Sequence, residues 1–166
     1  MAAVNGANGD SDDSGTITFS LDGRSIDAQP DETILQAARR HGVEIPHLCY
    51  MDGLRPDGNC RACVVEITGE RPLAPSCCRT PTEGMQVSSH NERARTSQKM
   101  VLELLKSDVV ETPYTRHSEL ELWATKLEVG NPRFPARQQP AQDVSHPAIA
   151  VNLDACIQCT RCQRAC

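Results

Sequence analysis

Nine cysteines fall into two spaced groups, and that spacing constrains this chain more than any other feature. Cys49, Cys60, Cys63 and Cys77 stand x10, x2 and x13 apart, with Cys78 adjoining the last. Cys156, Cys159, Cys162 and Cys166 form a C-x2-C-x2-C-x3-C run at the carboxyl end. An odd count does not pair into a disulfide framework. C-x2-C clustering in a chain with no export signal favours metal thiolates over bridges. Aromatic residues make up only 3% of the 166 residues, so metal–sulfur bonds are expected to supply cohesion that large rings otherwise give.

Composition narrows the class further. Residues 1–14 are rich in Asn, Gly, Ser and Asp, with no apolar stretch, which reads as a flexible tail rather than a secretory signal. No segment approaches the roughly 20 apolar residues of a membrane helix. A formal net charge of −5 gives no support to nucleic-acid binding, which calls for a basic face. The expectation is a cytoplasmic chain with neither nucleic-acid nor membrane partners, holding one domain or two small ones.

Local patterning gives an α+β order. Thr16 to Leu21 alternates, Asp22-Gly23 supplies two positions tolerant of positive φ, and Arg24 to Ala28 returns, which predicts a hairpin. Pro30-Asp31-Glu32 is expected to open a helix capped by Asp31, with Ile34, Leu35, Ala37 and Ala38 apolar and Gly42 ending it. Residues 49–63 carry Gly53, Pro56 and Gly58 without periodicity, a loop. Val64 to Ile67, Leu73 to Cys77 and Met85 to Val87 read as strands, completing a β-grasp over residues 15–89. A helical connector over 90–130 contains helices from Asn91 to Lys106 and from Glu119 to Val129. The apolar stripe of the first is expected at Ala94, Met100, Val101, Leu104 and Leu105. Four prolines mark 131–147 as an extended linker, and 148–166 opens with a short strand before the last cysteine run.

Each cysteine group suits iron. A [2Fe–2S] cluster needs four thiolates, two per iron: the C-x2-C places two sulfurs on one turn, the preceding loop wraps, and a strand returns the fourth. Gly53 and Gly58 are expected to admit backbone amides close to sulfur, with Arg55 and Arg61 favouring the reduced form. Structural zinc also takes four thiolates, usually on paired C-x2–4-C knuckles, of which only one is present, so a zinc-stabilised docking module is the alternative. Neighbours on a strand face opposite ways, so only one of Cys77 and Cys78 reaches the metal, and the other is expected to be buried and inert. Cys156, Cys159 and Cys162 suit three corners of a [4Fe–4S] cube, with Cys166 serving a second [4Fe–4S] cluster, as in two-cluster ferredoxins. On that reading the chain is the front end of a longer protein, cut inside its second cluster-binding unit.

The string Leu48-Cys49-x10-Cys60-Arg61-Ala62-Cys63-Val64-Val65-Glu66-Ile67, followed by Ala74-Pro75-Ser76-Cys77, resembles the amino-terminal [2Fe–2S] domain of a family. That family contains the large iron–sulfur subunit of respiratory complex I, the diaphorase part of NAD-reducing hydrogenases, and the catalytic subunit of NAD-linked formate dehydrogenases. The resemblance implies Cys77 rather than Cys78 as fourth ligand, and the pairs Cys49 with Cys60 and Cys63 with Cys77, one pair per iron. Most of the family follows with Ser-Asp-His-Pro-Leu-x-Cys-x2-Cys-x5-Cys, a cluster site of one histidine and three cysteines. Here Lys106-Ser107-Asp108 is followed by no cysteine until Cys156, and His117 stands where the family places its histidine. That departure argues against complex I and hydrogenase diaphorases.

Thr112 to Leu120 and His146 to Cys162 are most similar to the alpha subunit of an NAD-dependent formate dehydrogenase. The resemblance implies formate oxidation at a molybdenum or tungsten bis-pterin guanine dinucleotide, held by the rest of the catalytic subunit. It also implies a partner diaphorase subunit carrying FMN and NAD. Within residues 1–166 there is no phosphate loop, nucleophile–base pair or carboxylate pair, so no catalytic residue is expected and the segment is read as a conductor. Electron transfer for complex I or an NAD-reducing hydrogenase is the alternative. His41, His47, His90 and His146 lack partners at ligand spacing and are expected to pack or face solvent.

Overall fold

The computed structural model describes residues 15–109 and 118–166. The flexible tail expected over 1–14 and His117 lie outside the described residues.

Strands β1 (Ile17–Leu21) and β2 (Arg24–Ala28) form the expected hairpin, paired from Ile17 with Ala28 to Leu21 with Arg24. Asp22 and Gly23 take φ of 51° and 80°, the geometry that matches the twist of two antiparallel strands. Helix α1 (Ile34–Arg40) follows, then β3 (Val64–Ile67), β4 (Ala74–Pro75) and β5 (Gln86–Ser88). The sheet order is β2-β1-β5-β3-β4, with β1 parallel to β5 at the centre and the other pairs antiparallel. This mixed sheet crossed by a helix is the α+β, ferredoxin-like arrangement that the pattern of turns predicts.

Alternation along β1 and β2 sends Phe19, Leu21, Ile26 and Ala28 inward against Ile34, Leu35, Ala37 and Ala38 of α1. Full burial of each large apolar side chain is worth about 1.5–3 kcal/mol. Helix α1 starts later than the acidic turn suggests. Its cap is Thr33, whose hydroxyl accepts from the Gln36 amide while the Gln36 side chain accepts from the Thr33 amide. That reciprocal capping box satisfies two orphan donors, more than Asp31 offers, and Asp31 instead takes a left-handed φ of 64° in the preceding turn. Gly42, at φ 72°, follows the His41 C-cap.

Helix α2 (Glu92–Asp108), capped by Asn91, lies against β3. Its buried face is Ala94, Gln98 and Leu102, whereas Met100 and Leu104 are 43% and 45% exposed, contrary to the expected stripe. Gln98 is buried because its amide nitrogen donates to the Val64 carbonyl at 2.9 Å and the Ser89 carbonyl at 3.2 Å. A satisfied polar group can occupy a core position, and a hydrophobicity pattern alone does not show it. Helix α3 (Glu119–Lys126), capped by Ser118, packs on α2 and brings Leu120, Leu127 and Trp123 to a second apolar core around Leu102.

The stretch expected to be a linker contains a strand. β6 (Asp143–His146) pairs with β7 (Ile149–Val151) in an exposed hairpin, and α4 (Arg161–Ala165) follows. Before that hairpin the chain is tied to α2. Arg133 donates to Glu103 from its backbone amide at 2.9 Å, from Nε at 2.7 Å and from Nη2 at 2.8 Å. Gln139 donates to the Asp108 carbonyl at 2.7 Å. Among the described residues no helix is long and apolar enough to cross a membrane.

The Arg133 hydrogen bonds hold the Glu103 carboxyl down at about 2, against an ordinary 4.5. A depressed carboxylate stabilises the fold above its unfolded value and loses that contribution as pH falls through the folded one. Wild-type chain is therefore cut more slowly than Glu103→Gln within residues 131–142 at pH 5. The ratio of the two pepsin cleavage rates is expected to approach one between pH 4.5 and about 2. A ratio independent of pH would remove the tether.

Candidate metal centre

The loop from Leu48 to Cys63 runs between the two apolar cores. Cys63 and Cys77 belong to the sheet-side core, while Leu48 and Ala62 are buried in the helical one with Cys60 against them. Burial from both sides fixes the loop without regular secondary structure. Tyr50, also buried, donates its hydroxyl to Asp52 at 2.8 Å, and Asp52 in turn pairs with Arg39 at 3.1 Å.

The return strand is fixed just as closely. The Ser76 hydroxyl donates to the Cys63 carbonyl at 2.7 Å, and its amide to the same oxygen at 3.1 Å. The first amides of α1 donate to this turn as well, Leu35 to the Ser76 carbonyl at 3.0 Å and Ile34 to the Arg79 carbonyl at 2.8 Å. Helix-start donors that would lack partners thus hold the segment carrying Cys77.

Four sulfurs meet in this frame. Cys49, Cys63 and Cys77 are buried and Cys60 is half-buried, and the ionisation of Cys49 is linked to Cys60 and Cys77, that of Cys63 to Cys77. Cys77 is fully buried and Cys78 is exposed, its sulfur 3.5 Å from that of Cys77. Both lie in the turn after β4 rather than on a strand, and Cys78 is exposed, not the buried thiol expected. No three described His, Cys, Asp or Glu side chains gather closely enough about one point to hold a lone ion. The sulfurs of Cys49, Cys60, Cys63 and Cys77 are therefore neighbours that do not converge on a single point.

Backbone donors surround them. The Cys49 amide points at the Cys60 sulfur at 3.4 Å, and the Cys60 amide at the Cys49 sulfur at 3.5 Å. Amides of Asn59, Ala62 and Cys77 reach the sulfurs of Cys49, Cys60 and Cys63 respectively. Gly58 at φ 61° and Arg61 at φ 59° turn the backbone so that these N–H groups face inward. Gly53, at φ 82°, serves its own turn, with nothing near a Cβ placed there. Arg61 faces solvent, and Arg55 pairs with Asp57 at 3.8 Å.

Charge decides what such a set can hold. Bonds from the Cys60 and Cys77 thiols hold Cys49 down at about 2, and the same bonds push those two thiols up. Cys63 is held at about 7, chiefly by Cys77. Four thiolates in a partly buried site ionise together only against strong positive charge, and an all-sulfur donor set selects iron–sulfur or zinc over hard cations. The residues present fit a two-iron cluster.

The second cysteine group is less gathered. Cys156 and Cys159 are half-buried, Cys162 and Cys166 exposed. Gln158 and Thr160 take φ of 55° and 60°, coiling the backbone so that the Gln158 amide lies 3.4 Å from the Cys156 sulfur. The histidines bond locally. His41 meets Asp27 at 3.1 Å, His47 the Ile45 carbonyl at 2.8 Å, His90 Asp22 at 3.0 Å, and His146 the Ala148 amide at 3.2 Å.

Residues 14–92 match the family described as a 2Fe-2S iron-sulfur cluster binding domain. The chain is 34% identical over 157 residues to the G 2 subunit of the Rhizobium meliloti NADH-quinone oxidoreductase, spanning 90% of this chain and 18% of that protein. It is 34% identical over 165 residues to the NADP-reducing hydrogenase subunit HndD of Solidesulfovibrio fructosivorans, spanning 90% and 27%. With the mitochondrial NADH-ubiquinone oxidoreductase 78 kDa subunit of Candida albicans, identity is 30% over 155 residues, spanning 89% and 22%. A solved NAD+-reducing [NiFe]-hydrogenase in the H2-reduced state superposes with TM-score 0.76 and 31% identity, over 90% of this chain and 65% of that one. The chain thus spans about a fifth to a quarter of the length of these curated relatives.

A Cβ at Gly58 would lie 3.1 Å from the Cys78 sulfur, at a φ that costs a side chain about 1–2 kcal/mol. Gly58→Ala is expected to lower stability by at least that amount, read by denaturant unfolding. Adding Cys78→Ala relieves the contact but not the φ cost, so about 1 kcal/mol or more of the loss persists.

Proposed function

We propose that this chain, whose residues 14–92 are a 2Fe-2S iron–sulfur cluster binding domain homologous to those of NADH-quinone oxidoreductase and NAD-reducing hydrogenase, is an electron-transfer segment of an NAD-linked oxidoreductase. Cys49, Cys60, Cys63 and Cys77 hold a [2Fe–2S] cluster, Cys49 with Cys60 on one iron and Cys63 with Cys77 on the other. The observation that carries the reading is the burial of Cys49, Cys63 and Cys77 with Cys60 half-buried beside them, the Cys49 and Cys60 amides each aimed at the other's sulfur. When bound, such a cluster accepts and returns one electron at a time. The chain's own part is to keep the four sulfurs still and to aim N–H dipoles at them, which favours the added negative charge. Cys156, Cys159 and Cys162 hold a [4Fe–4S] cluster, and Cys166 serves a second; the Gln158 amide beside the Cys156 sulfur supports this.

The finer reading is an NAD-dependent formate dehydrogenase. Electrons from formate at a molybdenum or tungsten bis-pterin guanine dinucleotide would pass this segment toward FMN and NAD on a diaphorase subunit. The absence of any cysteine between Cys78 and Cys156 supports it, since no site of one histidine and three cysteines can form there. The named relatives favour a second reading, a complex I or NAD-reducing hydrogenase subunit.

Reduction of the metal-loaded protein is expected to give a [2Fe–2S] EPR signal. Cys60→Ser abolishes or shifts that signal while the signal from the second group stays. An unchanged signal in that variant removes the proposed ligand set. Formate reducing the clusters of the assembled enzyme, where hydrogen or quinol does not, supports the finer reading; the reverse supports the second.

A further inference from the structure

The two cysteine groups are joined by arginines. Arg164 donates from Nη2 to the Cys49 carbonyl and, at 3.3 Å, to the Cys159 carbonyl, so one nitrogen bridges a cysteine of each group. Its Nη1 donates to the Arg55 carbonyl, and its Nε to the Thr160 hydroxyl at 3.2 Å. One turn earlier, Arg161 donates to the Tyr50 carbonyl at 2.7 Å and pairs with Glu119. Two further contacts flank them, Asn59 to the Gln158 carbonyl at 2.7 Å and the Thr160 hydroxyl to the Asp57 carboxylate at 3.0 Å.

We propose that Arg164, assisted by Arg161, is a positioning residue that couples the two cysteine sites: it fixes the Cys49 loop against the Cys156–Cys162 turn and raises the potential at which the first site takes an electron. The inference rests on the reading that the first group holds a [2Fe–2S] cluster. Three physical points carry it. A guanidinium stays charged at every pH a protein survives, and its planar fork suits several carbonyls at once. Oxidised, two ferric ions with two sulfides and four thiolates bear a net double negative charge, and each electron adds another. A cation hydrogen-bonded to the backbone of a ligand residue therefore favours the reduced state. Arg164 spans the two loops, whereas the Arg55 side chain is 81% exposed and more fully screened by solvent. Among the described residues the Arg161 Nε is buried without a hydrogen-bond partner, so the second arginine is held in place at a cost.

The coupling is reciprocal. Order at the Cys156 turn depends on the Cys49 loop, and order at that loop depends on the turn.

The test uses the metal-loaded protein with Arg164→Met and Arg164→Lys, each checked for iron content. At the wild-type midpoint, Arg164→Met is expected to lower the first site's reduced-to-oxidised ratio tenfold, equivalent to about 59 mV for a one-electron couple. Amide hydrogen exchange at Tyr50 and at residues 158–160 rises in both Arg164 variants, because lysine restores charge but not the fork. Arg164→Lys regains most of the potential. Wild-type potential and wild-type exchange in Arg164→Met overturn the proposal. Should that variant retain no iron, Arg164→Lys exchanging at the wild-type rate overturns it instead. A wild-type chain without the iron signal defeats the ligand reading, and the exchange measurement still decides the clamp.

Discussion

Four thiols brought within contact of one another repel as they ionise, and the rest of the domain keeps them together regardless. Cys63 and Cys77 belong to the sheet-side core, and Leu48 and Ala62 anchor the loop in the helical one. The α1 amides, left over where a helix begins, are used on the turn that carries Cys77. Amides from Cys49, Asn59, Cys60, Ala62 and Cys77 then face the sulfurs. A site built this way has paid its ordering cost before metal arrives, which suits a centre that must change charge without changing shape.

The same frame reaches the carboxyl end. Ile157 packs on the helical core beside Cys60, and Arg161 and Arg164 bond to carbonyls of the first loop. The two cysteine groups thus share one scaffold rather than two modules on a linker. Electron transfer between sites depends on a fixed separation, and hydrogen bonds across the seam are a direct way to fix it. Glu103 and Arg133 hold the intervening chain against α2 in the same manner.

Local chemistry makes the first half of the fold legible. Asp22-Gly23 forces a hairpin, Val64-Val65-Glu66-Ile67 is a mostly β-branched run that favours a strand, and cysteine spacing marks the loop the structure builds around sulfur. The pattern misleads where competing local signals or distance decide. Thr33 with Gln36 outweighs Asp31 as a cap because two bonds beat one. Gln98 enters the core through carbonyls supplied by β3 and by Ser89. β6 is exposed along its whole length, so it lacks the alternation that reveals a half-buried strand. The arginine contacts span 109 to 115 positions, beyond any spacing argument. Strand alternation does not reach Cys78, because β4 ends at Pro75 and the two cysteines lie in the turn beyond it.

Metal and acid-labile sulfide content decides the central claim most directly. In chain with Cys156, Cys159, Cys162 and Cys166 replaced by alanine, the remaining cysteines are expected to retain about two irons and two sulfides per molecule. Roughly one zinc per molecule with no sulfide would contradict the account and leave a structural knot of thiolates in its place.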